Sequence, residues 1–163
     1  MVIGLLSDTH RHSQAHPLPD ELFAAFDGVD AILHAGDLCS LDVLDVLRAY
    51  APVHAVAGNS DPWEVSHALP AALRLEFDGL VVGLTHGHLG RGTTTAARAL
   101  NRFPDAQVVV FGHSHIPVVQ THEQVLLVNP GSPTQRRSQP KHSVARLTRS
   151  EEHTSELQSH HDL

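Results

Sequence analysis

Five short apolar runs in this chain each lead into an oxygen or imidazole side chain, and that repetition constrains the architecture more than any other feature. Residues 2–6 lead into Ser7-Asp8-Thr9-His10, 31–33 into Gly36-Asp37, and 53–57 into Gly58-Asn59. Residues 80–84 then lead into Thr85-His86-Gly87-His88, and 108–111 into Gly112-His113-Ser114-His115. Each run has strand length, and the early ones are separated by segments 20–26 and 41–50 with helical character. In the second segment Leu41, Leu44, Val46 and Leu47 form a stripe, with Ser40 placed as an N-cap. The chain therefore begins β-α-β-α-β, the pattern of an α/β protein. Residues 74–77, Asp78-Gly79 and 80–84 read as a hairpin, which makes the sheet arrangement mixed. Residues 93–101 predict another helix, with Ala96, Ala97 and Leu100 on one face and Phe103-Pro104 closing it. Residues 125–128 are a sixth strand-length run, and hairpin-like strands fill the final third.

In open α/β sheets, ligands bind in the crevice beyond the carboxyl ends of the strands, so residues remote in sequence converge there. Along an extended segment, residues i and i+2 point the same way, which lets Asp8 with His10, and His113 with His115, address one pocket. Glycines 36, 58, 87 and 112 stand beside these residues, where a missing side chain permits tight turns and close approach. The chain carries 15 His against 11 Lys plus Arg, an excess that fits clustering in a metal site. Asp8, His10, Asp37, Asn59, His86, His113 and His115 are the candidate metal ligands. A mixed carboxylate, amide and imidazole set suits Mn, Fe, Zn or Ni better than Mg or Ca, which prefer oxygen alone. Seven ligands exceed the needs of one ion. Two divalent metal ions sharing a bridging carboxylate would use them all, with Mn the expected ion.

Composition narrows the rest. At 163 residues the chain supports one compact domain. Its formal net charge is -7, and its basic residues are scattered apart from Arg136, Arg137 and Lys141, so no stable nucleic-acid complex is expected. The single cysteine, Cys39, excludes an internal disulfide and reads as a small buried residue. The sequence shows neither a signal segment nor a membrane span, and a cytoplasmic location is the expectation.

The ordered set Asp-x-His, Gly-Asp, Gly-Asn, His-Gly-His and Gly-His-x-His resembles the calcineurin-like metallophosphoesterases, in particular their small bacterial and archaeal phosphodiesterase branch. The resemblance covers residues 1–148 and includes Asn129-Pro130-Gly131-Ser132, similar to a structural turn of that branch. It implies a four-layer αββα sandwich of two mixed sheets flanked by helices. It assigns Asp8, His10 and His115 to one metal and Asn59, His86 and His113 to the other, with Asp37 bridging. It further implies a phosphodiesterase, acting on a small phosphoester through a metal-activated hydroxide. Many relatives carry a proton-donating His directly after the Asn, whereas this chain has Ser60-Asp61 there, leaving His88 as the substitute acid. The same fold also implies an alternative, a non-catalytic protein-interaction scaffold like the eukaryotic retromer subunit, but those relatives have lost metal ligands that this chain retains.

Neighbouring residues have plainer readings. Asp61 either pins the Asn59 loop or caps the segment 62–65. His34 is core or a support to the ligands, His12 either surface or substrate-facing, and Arg11 and Arg91 read as solvated, with contact to a substrate phosphate as the alternative. Pro62-Trp63 reads as core packing, with a substrate wall or a homodimer patch as the alternatives. From 150 to 163 no apolar periodicity is visible, and residues 149–160 resemble the translation of a sequencing-library adapter. The domain is accordingly expected at 1–148, its last strand from residue 142 cut short, followed by a non-native, unstructured tail at 149–163.

Overall fold

In a computed structural model of the chain, residues 1–14, 16–150 and 155–163 are described, those at 155–161 by their backbone alone. The opening elements follow the sequence pattern: β1 (Val2–Leu6), α1 (Asp20–Ala25), β2 (Ala31–His34), α2 (Asp42–Arg48) and β3 (Val53–Ala55). After α3 (Trp63–Ala68) comes the hairpin of β4 (Ala72–Phe77) and β5 (Leu80–Thr85). Its turn residues Asp78 and Gly79 have φ of 51° and 82°, the two positive values a two-residue type I′ turn requires. Then follow α4 (Thr95–Arg102), β6 (Val108–Val110), β7 (Val118–His122), β8 (Val125–Asn129), β9 (Ser143–Arg149) and β10 (Ser155–Asp162).

The strands form two five-stranded sheets, ordered β10-β9-β1-β2-β3 and β4-β5-β6-β8-β7. Both are mixed: β1, β2 and β3 run parallel with β9 antiparallel, while β5, β6 and β8 run parallel with β4 and β7 antiparallel. Period-2 alternation sends each central strand's side chains to two interiors. Ile3 and Leu5 of β1 meet Val108 and Val110 of β6 between the sheets, together with Leu33, Val82, Leu84 and Val128. On the far side of the first sheet, Leu6 and Ile32 pack under Leu22 and Phe26 near α1 and Leu44 and Leu47 of α2. Gly4 is required there, because a Cβ would press on the Phe26 ring at 2.9 Å. On the far side of the second sheet, Val109 and Leu127 pack under Ala99 of α4 and Phe103. The result is the four-layer αββα sandwich expected from the sequence.

Several local expectations are corrected. The α2 helix begins one residue beyond Leu41, and no side chain caps it, so Ser40 is not the N-cap. The cap is instead visible at α4, where Thr94 accepts a hydrogen bond from the Ala97 N–H. Trp63 is not core: it is 70% exposed, its ring stacked on His67 at 4.7 Å. Arg11, read as solvated, is buried and lies 3.5 Å from the Asp42 carboxylate.

The backbone of the described residues continues past residue 148. β9 spans Ser143–Arg149, and β10 pairs antiparallel with its outer edge from Ser155 to Asp162. Such pairing counts against an unstructured 149–163 segment. Its physical cause is the free backbone edge of β9, which accepts a further strand whatever its side-chain pattern. Lys141 reaches Asp162 at 2.9 Å, and Leu163 packs at the border of the α1/α2 core. Residues 151–154 of the proposed tail lie outside the described residues.

Candidate metal centre

All seven predicted ligands come together where the carboxyl ends of β1, β2, β3, β5 and β6 meet. The two sheets are joined at this point by direct bonds. The His113 N–H of the second sheet donates to Asp8 Oδ2 at 3.0 Å, and His86 Nδ1 lies 2.7 Å from the Ala35 carbonyl of the first. Asp8 Oδ1 stands 3.5 Å from His115 Nε2 and 3.8 Å from both His10 Nε2 and His86 Nε2. Asp37 Oδ2 stands between the two groups, 3.4 Å from His10 Nε2 and 3.2 Å from His86 Nε2. Asn59 Oδ1 lies 3.0 Å from both His86 Nε2 and His113 Nδ1.

The local backbone that achieves this is not the extended one the sequence suggested. Asp8 and His10 have φ of 56° and 44°, Asp37 and Cys39 of 57° and 69°, His113 and His115 of 73° and 62°. Three ligand loops thus repeat one device, a left-handed residue at i and again at i+2. The i, i+2 partners do share a pocket, but through two left-handed kinks past the end of each strand, not through strand pleating. Such a conformation costs roughly 1–2 kcal/mol per non-glycine residue. It persists because the surroundings over-determine it. Asp61 accepts from three backbone N–H groups, those of Asp37 (3.0 Å), Gly58 (2.7 Å) and Cys39 (2.7 Å). Asp61 therefore pins the Asp37 and Asn59 loops together and does not cap α3. Ser132 Oγ donates to the Asp8 carbonyl at 2.7 Å, and Thr134 Oγ1 to that of Thr9 at 2.6 Å. The Asn129-Pro130-Gly131-Ser132 turn thereby clamps the first ligand loop. Gly58 is obligatory, since a Cβ there would run into the Asp37 carboxylate.

Electrostatics follow from burial and proximity. Burial would raise the Asp37 carboxyl, but the hydrogen bond and charge of His86, the Ser60 N–H and His10 together hold it well below the usual range. Burial opposes charge on His86 too, yet the Asp37 hydrogen bond and the Asp8 and Asp37 charges raise it. His113 and His88 are lowered by burial and by His86, and His115 chiefly by burial. His34 is fully buried between Thr9 Oγ1 (3.0 Å) and the Gly36 N–H (3.2 Å), and burial lowers it to about 3. It is a neutral prop beneath the first two ligand loops.

The donor set fits metal ions on an observation independent of the motifs. Asp8 Oδ1, His10 Nε2 and His115 Nε2 are buried without a hydrogen-bond partner among the described residues. Buried polar atoms left unpaired are costly, on the order of 1–3 kcal/mol each, and their convergence on one spot fits a cation-binding role. Asp8, His10 and His115 form one group of mutually close donors, and Asp8, Asp37 and His86 another. The outward nitrogens of two imidazoles are fixed by main-chain carbonyls, His86 by Ala35 and His115 by Gln135 at 2.5 Å. Those carbonyl partners have no sequence signature. Cys39, 3.7 Å from His10 Nδ1, did have one, the same i, i+2 spacing from Asp37. His88 lies beside the cluster, its ring 5.3 Å from His86 and 6.3 Å from His113. His12 is exposed, and Arg91 is as well. A cleft of about 370 Å³ opens on the outer side of His10, lined by Arg11, His16, Pro17, Pro133 and Gln135 among others.

Comparison with known proteins identifies the family. The sequence pattern of the calcineurin-like phosphoesterase superfamily domain matches residues 1–152. The chain belongs to that superfamily. A probable metallophosphoesterase of Methanothermobacter thermautotrophicus is 41% identical over 149 residues, covering 90% of this chain and 86% of the relative. A phosphodiesterase of Methanocaldococcus jannaschii is 29% identical over 143 residues, covering 80% and 83%. Among solved structures, Vps29 from Entamoeba histolytica complexed with Zn²⁺ superposes with a TM-score of 0.76 at 21% identity, covering 99% of both chains. An archaeal phosphodiesterase superposes at 0.73 with 23% identity, covering 97% of this chain and 100% of that one. These two superpositions establish the superfamily fold, whose two mixed sheets carry the ligand loops described above. Among the described residues, no helix is long and apolar enough to cross a membrane.

Proposed function

We propose that this phosphoesterase is a phosphodiesterase working at a dinuclear centre, with Asp8, His10 and His115 around one ion, Asn59, His86 and His113 around the other, and Asp37 between them. The observation that carries the reading is the convergence of Asp8 Oδ1, His10 Nε2 and His115 Nε2, all buried and without a hydrogen-bond partner among the described residues. Bound ions would supply Lewis acidity toward phosphoryl oxygens and a water acidified toward neutrality. The donor set is compatible with Mn, Fe, Ni and Zn, and Mn is our first choice among them.

The chain's own groups do the rest. Asp37, held ionised below the usual carboxylate range, supplies a full negative charge between the two ligand groups. The left-handed loops and the Asp61 clamp hold the donors in place before substrate arrives, so little reorganisation accompanies reaction. Asp61 follows Ser60 where many relatives have a proton-donating histidine, but its two oxygens are engaged by three N–H groups, which leaves it unsuited to proton transfer. His88, beside the cluster, is our candidate to deliver a proton to the leaving alcohol. Burial, His86 and His113 lower its affinity for a proton, and a phosphoester's negative charge acts in the opposite sense. Weak acid assistance favours substrates with good leaving groups, and diesters of phenols are the first to try. The cleft beside His10 has room for a small organic substituent.

The test is hydrolysis of a chromogenic phosphodiester by chelator-stripped protein before and after adding Mn, with His113→Ala in parallel. Turnover restored by metal and lost in the variant is the expected result. A folded, metal-loaded protein without turnover on diesters or monoesters would instead favour a non-catalytic scaffold of the same fold.

A further inference from the structure

The three imidazoles that present Nε2 to the cluster do not share one kind of support. His86 and His115 turn Nδ1 to main-chain carbonyls, at 2.7 and 2.5 Å, whereas His10 turns Nδ1 to a sulfur, Cys39 Sγ at 3.7 Å. A histidine whose Nε2 lone pair faces a cation must carry its proton on Nδ1, and the partner of Nδ1 sets that tautomer. For His10 the available partner is the Cys39 thiol. The sulfur sits where it can accept, because its own S–H is directed to the Ser60 carbonyl, also at 3.7 Å. Its backbone is fixed independently, by the N–H bond to Asp61 at 2.7 Å and a φ of 69°.

We propose that Cys39 is a positioning residue: it accepts the His10 Nδ1–H, holds His10 in the tautomer that offers Nε2 to the ion shared with Asp8 and His115, and thereby sets that ion's affinity. The same thiol ties three ligand loops together. His10 lies on the loop after β1, Cys39 on the loop after β2, and Ser60, which follows the ligand Asn59 and donates its N–H to Asp37 at 2.8 Å, on the loop after β3. Sulfur is a weaker acceptor than a carbonyl oxygen, so His10 is the least firmly oriented of the three imidazoles, and its ion the more easily lost. The inference rests on His10 being a metal ligand.

The experiment is calorimetric Mn titration of chelator-stripped wild type, Cys39→Ser, Cys39→Ala and His10→Ala, with the ring-nitrogen NMR signals of His10 recorded before metal is added. Wild type should bind two ions and show His10 protonated on Nδ1. Cys39→Ala should weaken one binding step by roughly 10–100-fold, the usual effect of losing such a support, and should mix the tautomers. Cys39→Ser keeps a hydroxyl acceptor at the position and should recover most of both. Two ions bound with unchanged affinity by Cys39→Ala, while His10→Ala loses one, would overturn the positioning role and leave the metal centre standing. Equal weakening in the Ser and Ala variants would also overturn it, in favour of plain packing. Retention of both ions by His10→Ala would remove His10 from the ligand set and the inference with it.

Discussion

The interior between the sheets and the rim of loops at its carboxyl end follow opposite rules. Between the sheets, Ile3, Leu5, Leu33, Val82, Leu84, Val108 and Val110 are buried apolar side chains on regular strands, and each adds roughly 1.5–3 kcal/mol through burial. A few residues further along the same strands, Asp8, Asp37 and His86 are equally buried but polar, and Asp8, His10, Asp37, His113 and His115 occupy left-handed backbone. The first region stabilises the fold unaided. The second is held by a clamp of backbone bonds to Asp61, Ser132 and Thr134. Stability and function are thus divided along single strands, with the change of rule falling within two residues of the last ladder bond.

The sharpest way to break this division is to remove charge from the rim. Asp37→Ala should lower kcat/KM on a phosphodiester by at least about 10³-fold while leaving far-UV circular dichroism unchanged, because Asp37 serves both ligand groups and no part of the core. A collapse of secondary structure in that variant would show the two regions to be interdependent. The converse change is Leu33→Ala, between the sheets. It should cost about 3 kcal/mol in denaturant unfolding, measured with or without metal, and the metal-induced increment of stability should stay as in wild type.

The boundary itself is probed by pH. His34, at the end of β2, is neutral in the fold, lowered from 6.5 to about 3. Unfolding lets it take up a proton below pH 6.5, so its contribution is present above that pH and declines as pH falls from 6.5 toward 3. The slope is up to about 1.4 kcal/mol per pH unit. His34→Gln in metal-free protein should flatten the stability curve over that window; an unchanged slope would mean that His34 is not the neutral prop its bonds to Thr9 and Gly36 indicate. The smallest effect has the opposite sign. Asp8→Asn should stabilise the metal-free protein by about 1 kcal/mol, since Asp8 is a buried carboxyl group whose Oδ1 has no hydrogen-bond partner among the described residues, yet lessen the stabilisation that Mn brings. Parallel thermal melts with and without Mn would read both.

Much of the interior was legible because its signals are local. Strand-length apolar runs, helical spacing in 20–26 and an Asp-Gly turn predict β1 to β3, α1 and the β4/β5 hairpin close to where they stand. The seven candidate ligands stand out as residue types at strand ends. Their backbone does not, since left-handed φ at Asp8, His10, Asp37 and Cys39 is imposed by long-range bonds to Asp61, Ser132 and Thr134. Trp63 was misplaced because an aromatic beside a proline reads as core, while here it starts a short helix on the surface. β10 was missed for a different reason: strand addition at the β9 edge is a backbone interaction, and its residues show no apolar alternation.

The most direct test of the central claim is metal content by mass spectrometry after Mn reconstitution and dialysis, for wild type and for the Asp8→Ala/His113→Ala double variant. Two ions per wild-type chain, with loss of both from the variant, is the expected result. A wild-type protein that retains none, or a double variant that retains two, would contradict the assignment of these loops as a dinuclear metal centre.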